Sequence, residues 1–116
     1  MTQIKEISPT ELFKLTEEGG NVALVDVRSP DEFNEIHASL ALNSPLDKFT
    51  AAALQKLGLT AEQPIYLICR SGARSATACR ILMEAGFAHV FNVAGGTMAW
   101  KDLGLPVCKP NKKEVM

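Results

Sequence analysis

The chain has 116 residues, 47% of them hydrophobic and 22% charged, with a formal net charge of −1. That length is enough to bury a core without staples, so one domain over 1–116 is expected, its core at about 4–107 and a C-terminal tail at 108–116. The near-zero charge excludes a global basic field for nucleic acid or membrane surfaces.

MTQIKEISPTELF lacks an apolar h-region, and no run approaches the ~20 residues that span a bilayer, so cytoplasmic residence is the default expectation. IKEI predicts a short edge strand. SPTELFKLTEEGG predicts a helix capped by Ser8, with Pro9 in the first turn, Glu11 completing a capping box, and Gly19 and Gly20 as the stop. VALVDV (22–27) is a β-branched apolar run broken only by Asp26, the pattern of a strand buried on both faces. SPDEF repeats the cap logic with Ser29, Pro30 and Glu32 and predicts a short helix. LDKFTAAALQKLG (46–58) has apolar residues at helical spacing and Gly58 as its stop.

IYLIC (65–69) predicts a second buried strand, SATACRILMEAG (75–86) the clearest helix, and HVFNV (89–93) a further strand. GGTMAWKDLG opens with a glycine turn and runs into a short helix carrying Trp100, expected as a core anchor. The end, KPNKKEVM, reads as a solvated, frayed terminus. Strands alternating with helices over short links argue for an α/β fold with a mainly parallel sheet. In such sheets ligands bind beyond the carboxyl ends of the strands. VALVDVR carries Asp26 and Arg28 to that edge, and IYLIC carries Cys69.

An unperturbed thiol titrates near ~8.5 and needs help to be nucleophilic at neutral pH. Cys69 precedes a helix start, whose exposed N–H groups favour negative charge. Arg70 and Arg74 add cations, and the small residues Ser71, Gly72 and Ala73 let the backbone curl into an anion-binding nest that runs to Ser75. Three widely spaced cysteines with no CxxC suggest neither a disulfide framework nor a zinc site, and reduced thiols fit best.

CRSGARS, between an apolar strand and an alanine-rich helix, resembles the active-site loop of single-domain rhodaneses, the thiosulfate sulfurtransferase family. VDVRSPDEF (25–33) is similar to that family's early segment, His37 falls where its GHI element lies, and NVAGGTMAW (92–100) resembles its closing glycine–tryptophan segment. The resemblance implies a three-layer α/β sandwich around a five-stranded, mainly parallel sheet. It also implies that Cys69 takes a sulfane sulfur as a persulfide held by the amides of residues 70 to 75. Arg70 and Arg74 would attract an anionic donor such as thiosulfate, and the acceptor would be cyanide or a thiol. No metal or organic cofactor is implied.

Two other readings use the same parts. Cysteine phosphatases and arsenate reductases also seat an oxyanion over a thiolate, but place five residues between Cys and Arg; here four separate Cys69 from Arg74. A persulfide carrier or protein-interaction module, with a protein as sulfur donor or acceptor, would share every residue. Asp26 needs a partner if buried: either it braces the Cys69 loop together with Arg28, or Arg28 pairs locally with Glu32. IHASLA (36–41) departs from the family's GHIPGA and suggests a bulkier, helical turn, with His37 bonding backbone. Cys79 reads as a core thiol, with a resolving cysteine as the alternative. His89 reads as the entry to a strand, and Cys108 as an exposed thiol.

Overall fold

A computed structural model describes residues 4–109. The Lys-rich end from residue 110 onward, with the fraying expected of it, lies outside the described residues. Four strands of the main sheet stand at the apolar runs: β1 (Lys5–Ile7), β2 (Ala23–Asp26), β5 (Ile65–Ile68) and β6 (Val90–Val93). The fifth, β4 (Leu42–Asn43), is too short for any periodicity to mark it. The spatial order is β1-β6-β5-β2-β4, every neighbouring pair parallel. All residues of β2 and β5 are buried, because central parallel strands are covered by helices on both faces.

The helices are α1 (Pro9–Glu17), α2 (Pro30–Glu35), α3 (Ala51–Lys56), α4 (Ala73–Glu84) and α5 (Gly96–Asp102). Strand side chains alternate between faces, and this splits the core into two layers. Val25, Ile65 and Leu67 pack on one face with Leu54 of α3 and with Ala78 and Leu82 of α4. Leu24, Tyr66 and Ile68 pack on the other with Leu12 of α1 and Trp100 of α5. Trp100 is fully buried, sits edge-on to Phe13 at 6.2 Å, and donates its indole N–H to the Pro106 carbonyl at 2.8 Å. The result is the expected three-layer α/β sandwich. Among the described residues, no helix is long and apolar enough to cross a membrane.

Both capping boxes form as expected, Ser8 with Glu11 and Ser29 with Glu32. The 46–58 helix does not form as one piece. Leu46–Lys48 makes a 3-10 turn, Phe49 is extended, and Thr50 caps a separate α3 by accepting the Ala53 N–H at 3.0 Å. The IHASLA segment is not helical either. His37–Ala38 is strand β3, antiparallel to β7 (Val107–Cys108), because a second small sheet satisfies its backbone instead. His37 stacks on Phe33 with ring centroids 3.6 Å apart, and its Nδ1–H donates to the Phe33 carbonyl at 2.7 Å.

Candidate active site

The loop after β5 is shaped by its neighbours before its own side chains act. The amides of Thr97 and Met98, at the start of α5, donate to the carbonyls of Cys69 and Arg70 at 2.8 and 3.2 Å. That close approach explains the second glycine of NVAGGTMAW. A Cβ on Gly96 would stand 2.5 Å from both of those carbonyl oxygens, and its φ of +60° already lies in the left-handed region. With these carbonyls tied back, the following amides are free to turn toward the sulfur. Gly72, at φ +117°, caps α4 and points its N–H at Cys69 Sγ from 3.0 Å.

Cys69 is almost fully buried at the end of β5, and Ser75 Oγ lies 3.3 Å from its sulfur. Burial pushes the thiol pKa up. The Ser75 hydroxyl and the amides of Ser75, Gly72 and Ser71 oppose it and prevail, so the net direction is downward from the ordinary cysteine value. A thiol pKa lowered in a buried cradle is what an activated nucleophile requires. Cys79 is the contrast: it is fully buried in the core, and desolvation pushes its thiol up to about 12. Cys108 is exposed in β7. His89 is exposed just before β6, where its carbonyl accepts the Ile65 N–H at 2.8 Å.

The two arginines of the loop serve different surroundings. Arg74 makes a bidentate pair with Glu32, at 2.7 and 2.9 Å, tying the first turn of α4 to α2. The Arg74 guanidinium holds the Glu32 carboxyl at about 2, and Glu32 still caps its own helix through the Ser29 N–H. Arg74 lines a cleft of about 370 Å³ with Val27, Pro45 and Leu46. Arg70 is exposed and lines a different cleft, of about 410 Å³, with Arg28, Thr97 and Lys101. The sequence groups the two arginines around one anion, whereas the fold gives them separate walls.

Asp26 and Arg28 form a buried pair. The Arg28 backbone N–H, Nε and Nη2 all reach the Asp26 carboxylate at 2.9 to 3.1 Å, and Nη2 also donates to the Ile36 carbonyl at 2.5 Å. The alternative local pair of Arg28 with Glu32 does not form, because Glu32 is taken by Arg74. Asn43 Nδ2 donates to the carbonyls of Asp26 and Arg28, joining β4 to the same corner.

Sequence reasoning did not single out Asn92. Its carboxamide sits behind the loop, with Oδ1 2.5 Å from Ser75 Oγ and Nδ2 donating to the Gly72 carbonyl at 3.0 Å. The available signal was one amide inside the apolar strand HVFNV, where burial obliges both its atoms to find partners. Thr97, at the floor of the Arg70 cleft, was also missed; its hydroxyl is the buried side-chain polar atom without a hydrogen-bond partner among the described residues.

The architecture is a five-stranded parallel sheet whose central strand leads into a cysteine with two hydrogen-bond donors at its sulfur. Comparison with known proteins gives that architecture its family. The rhodanese-like domain family matches residues 8–103. A protein of Allochromatium vinosum named sulfurtransferase is 33% identical over 107 residues, covering 92% of this chain and 97% of its own. Thiosulfate sulfurtransferase 16 of Arabidopsis thaliana, a chloroplast protein, is 37% identical over 91 residues, covering 71% and 76%. Among solved structures, the rhodanese-like domain of an Anabaena protein superposes with a TM-score of 0.81 at 26% identity, over 92% of this chain and 80% of that one. The chain therefore belongs to the rhodanese-like domain family.

Proposed function

We propose that this chain is a sulfurtransferase that carries a sulfane sulfur as a persulfide on Cys69. The observation that carries the reading is the pair of donors aimed at Cys69 Sγ, the Gly72 N–H and the Ser75 hydroxyl, which favour an anionic sulfur in a buried position. With thiosulfate as donor, the Cys69 thiolate attacks the outer sulfur and the S–S bond to the sulfonate sulfur breaks. Sulfite departs with the bonding pair, leaving a persulfide anion on Cys69. An acceptor such as cyanide or a thiolate then attacks the terminal sulfur and expels the Cys69 thiolate, giving thiocyanate or a new persulfide. No net oxidation occurs, and no proton needs to move.

In this reading the amides of residues 70 to 75 hold the persulfide charge. Arg70, exposed and without an ion-pair partner among the described residues, meets an incoming anion first, and Arg74 meets it only after yielding Glu32. Asp26 and Arg28, bonded to each other and to the Ile36 carbonyl, brace the wall beside the loop and make no bond to substrate. Sulfur donors and acceptors are the partners the family uses; thiosulfate as the donor is supported by the name of the Arabidopsis relative.

Steady-state turnover of thiosulfate and cyanide tests the proposal. Parallel lines in double-reciprocal plots are expected, as a two-step covalent cycle requires, and Cys69→Ser should abolish thiocyanate formation. Intersecting lines would refute the two-step route, and activity in Cys69→Ser would refute the assignment of the nucleophile. Release of phosphate from an aryl phosphate, lost in the same variant, would instead mark a phosphatase.

A further inference from the structure

Ser75 Oγ stands 3.3 Å from Cys69 Sγ, 3.3 Å from the Gly72 carbonyl oxygen and 2.5 Å from Asn92 Oδ1. A hydroxyl has one hydrogen to give, so these three acceptors compete for it. What settles the competition lies outside the loop. The Gly72 carbonyl has two lone pairs; one accepts the Ala76 N–H at 3.2 Å and the other accepts Asn92 Nδ2 at 3.0 Å. With both filled, Gly72 has little claim on the Ser75 hydrogen. The orientation of the Asn92 amide follows from the same bonds. A carbonyl can only accept, so nitrogen must face Gly72, and oxygen then faces Ser75.

The strand register explains how Asn92 reaches the site. Asn92 pairs with Leu67, so the two project to one face of the sheet, and Cys69, two positions after Leu67 and just beyond β5, projects to that face as well. The amide is 3% exposed, so water does not substitute for these bonds.

We propose that Asn92 is the positioning residue of this site: its amide occupies the Gly72 carbonyl and presents the Ser75 hydroxyl to the Cys69 sulfur. Through Gly72 it also fixes the amide that points at the sulfur from 3.0 Å, so one side chain on β6 governs both donors. When Cys69 is a thiol, its S–H donates to Ser75 and the Ser75 hydrogen rests on Asn92 Oδ1. When the sulfur is charged, the same hydrogen turns to it, because an anionic acceptor outcompetes a neutral amide oxygen. Without Asn92, the Gly72 carbonyl loses its tie to β6, the turn that holds the Gly72 N–H and the Ser75 hydroxyl against the sulfur shifts, and both donors weaken.

The proposal takes Cys69 as the nucleophile of the proposed function, but its test uses no sulfur donor, so the two can fail separately. Asn92→Leu keeps the branched shape and removes both polar atoms. The thiol titration of Cys69 is followed by the Cβ chemical shift of ¹³C-labelled cysteine in the wild type, Asn92→Leu, Ser75→Ala and the double variant. Asn92→Leu is expected to raise the Cys69 midpoint by about one pH unit, roughly a tenfold loss of thiolate at neutral pH. Ser75→Ala is expected to raise it alone and to add little in the Asn92→Leu background, the signature of two residues acting through one contact. An unchanged or lowered midpoint in Asn92→Leu, or full additivity, would overturn the proposal. Should Asn92→Leu fail to fold, Asn92→Ala is read by the same criterion.

Discussion

Glu32→Gln removes one charge and little else. Gln at the third position of α2 still accepts from the Ser29 N–H, so the capping box survives. What is lost is the charge facing Arg74, whose two nitrogens approach the carboxylate at 2.7 and 2.9 Å. The side chains are 40% and 32% exposed, so solvent screens the pair heavily. A partly exposed pair of this kind is worth about 0.5–1 kcal/mol, and an anionic donor drawn to Arg74 must displace it. Freeing Arg74 should therefore lower KM for thiosulfate about two- to fivefold, since each 1.4 kcal/mol is about tenfold, with kcat little changed. Steady-state kinetics at saturating cyanide reads this directly. An unchanged KM would mean that the donor never meets Arg74. A raised KM would mean that Glu32 holds Arg74 in its working position, contradicting the competition argument.

The same carboxylate sets an acid limit. Its folded value of about 2 lies below the ordinary glutamate value of 4.5, so its contribution to stability is complete above pH 4.5 and fades as pH falls toward 2; urea midpoints should drop across that window and do so less in Glu32→Gln. Iodoacetamide at neutral pH should modify Cys69 well before Cys79, whose thiol burial pushes up to about 12; peptide mapping that found Cys79 reacting first would contradict both environments. Gly96→Ala forces a methyl to 2.5 Å from two carbonyl oxygens at a positive φ, and should cost about 2 kcal/mol or more in urea unfolding, along with the reactivity of Cys69. Asp26→Asn leaves Arg28 buried and uncompensated, a loss of about 3–5 kcal/mol; unaltered stability and sulfur transfer would dismiss the brace.

The parts of the fold legible in the sequence are those with local causes. Ser8 with Glu11 and Ser29 with Glu32 announce helix starts within four residues, and VALVDV and IYLIC announce central strands by unbroken apolarity. Strands β3, β4 and β7 are two residues long and have no period to read; each exists because a distant partner satisfies its backbone. The 46–58 run has helical spacing throughout, yet Thr50 caps better than it propagates, and the helix begins there.

The candidate site divides in the same way. A cysteine before a glycine-containing turn and a helix start is a local statement, and the cradle around Cys69 was readable from it. Arg74 belongs to the same seven residues, but its partner Glu32 is 42 positions away and already explained as a helix cap, so nothing in the sequence linked them. Asn92 and the Thr97 amide reach the loop through strand register and the packing of α5, which only the folded chain supplies.

Whether Cys69 carries the sulfur is read from the intact mass of the reduced protein after incubation with thiosulfate. The account predicts a gain of one sulfur atom, removed by cyanide and absent in Cys69→Ser. A folded, fully reduced wild-type protein that gains no sulfur from thiosulfate, or a Cys69→Ser variant that gains it equally, would contradict it.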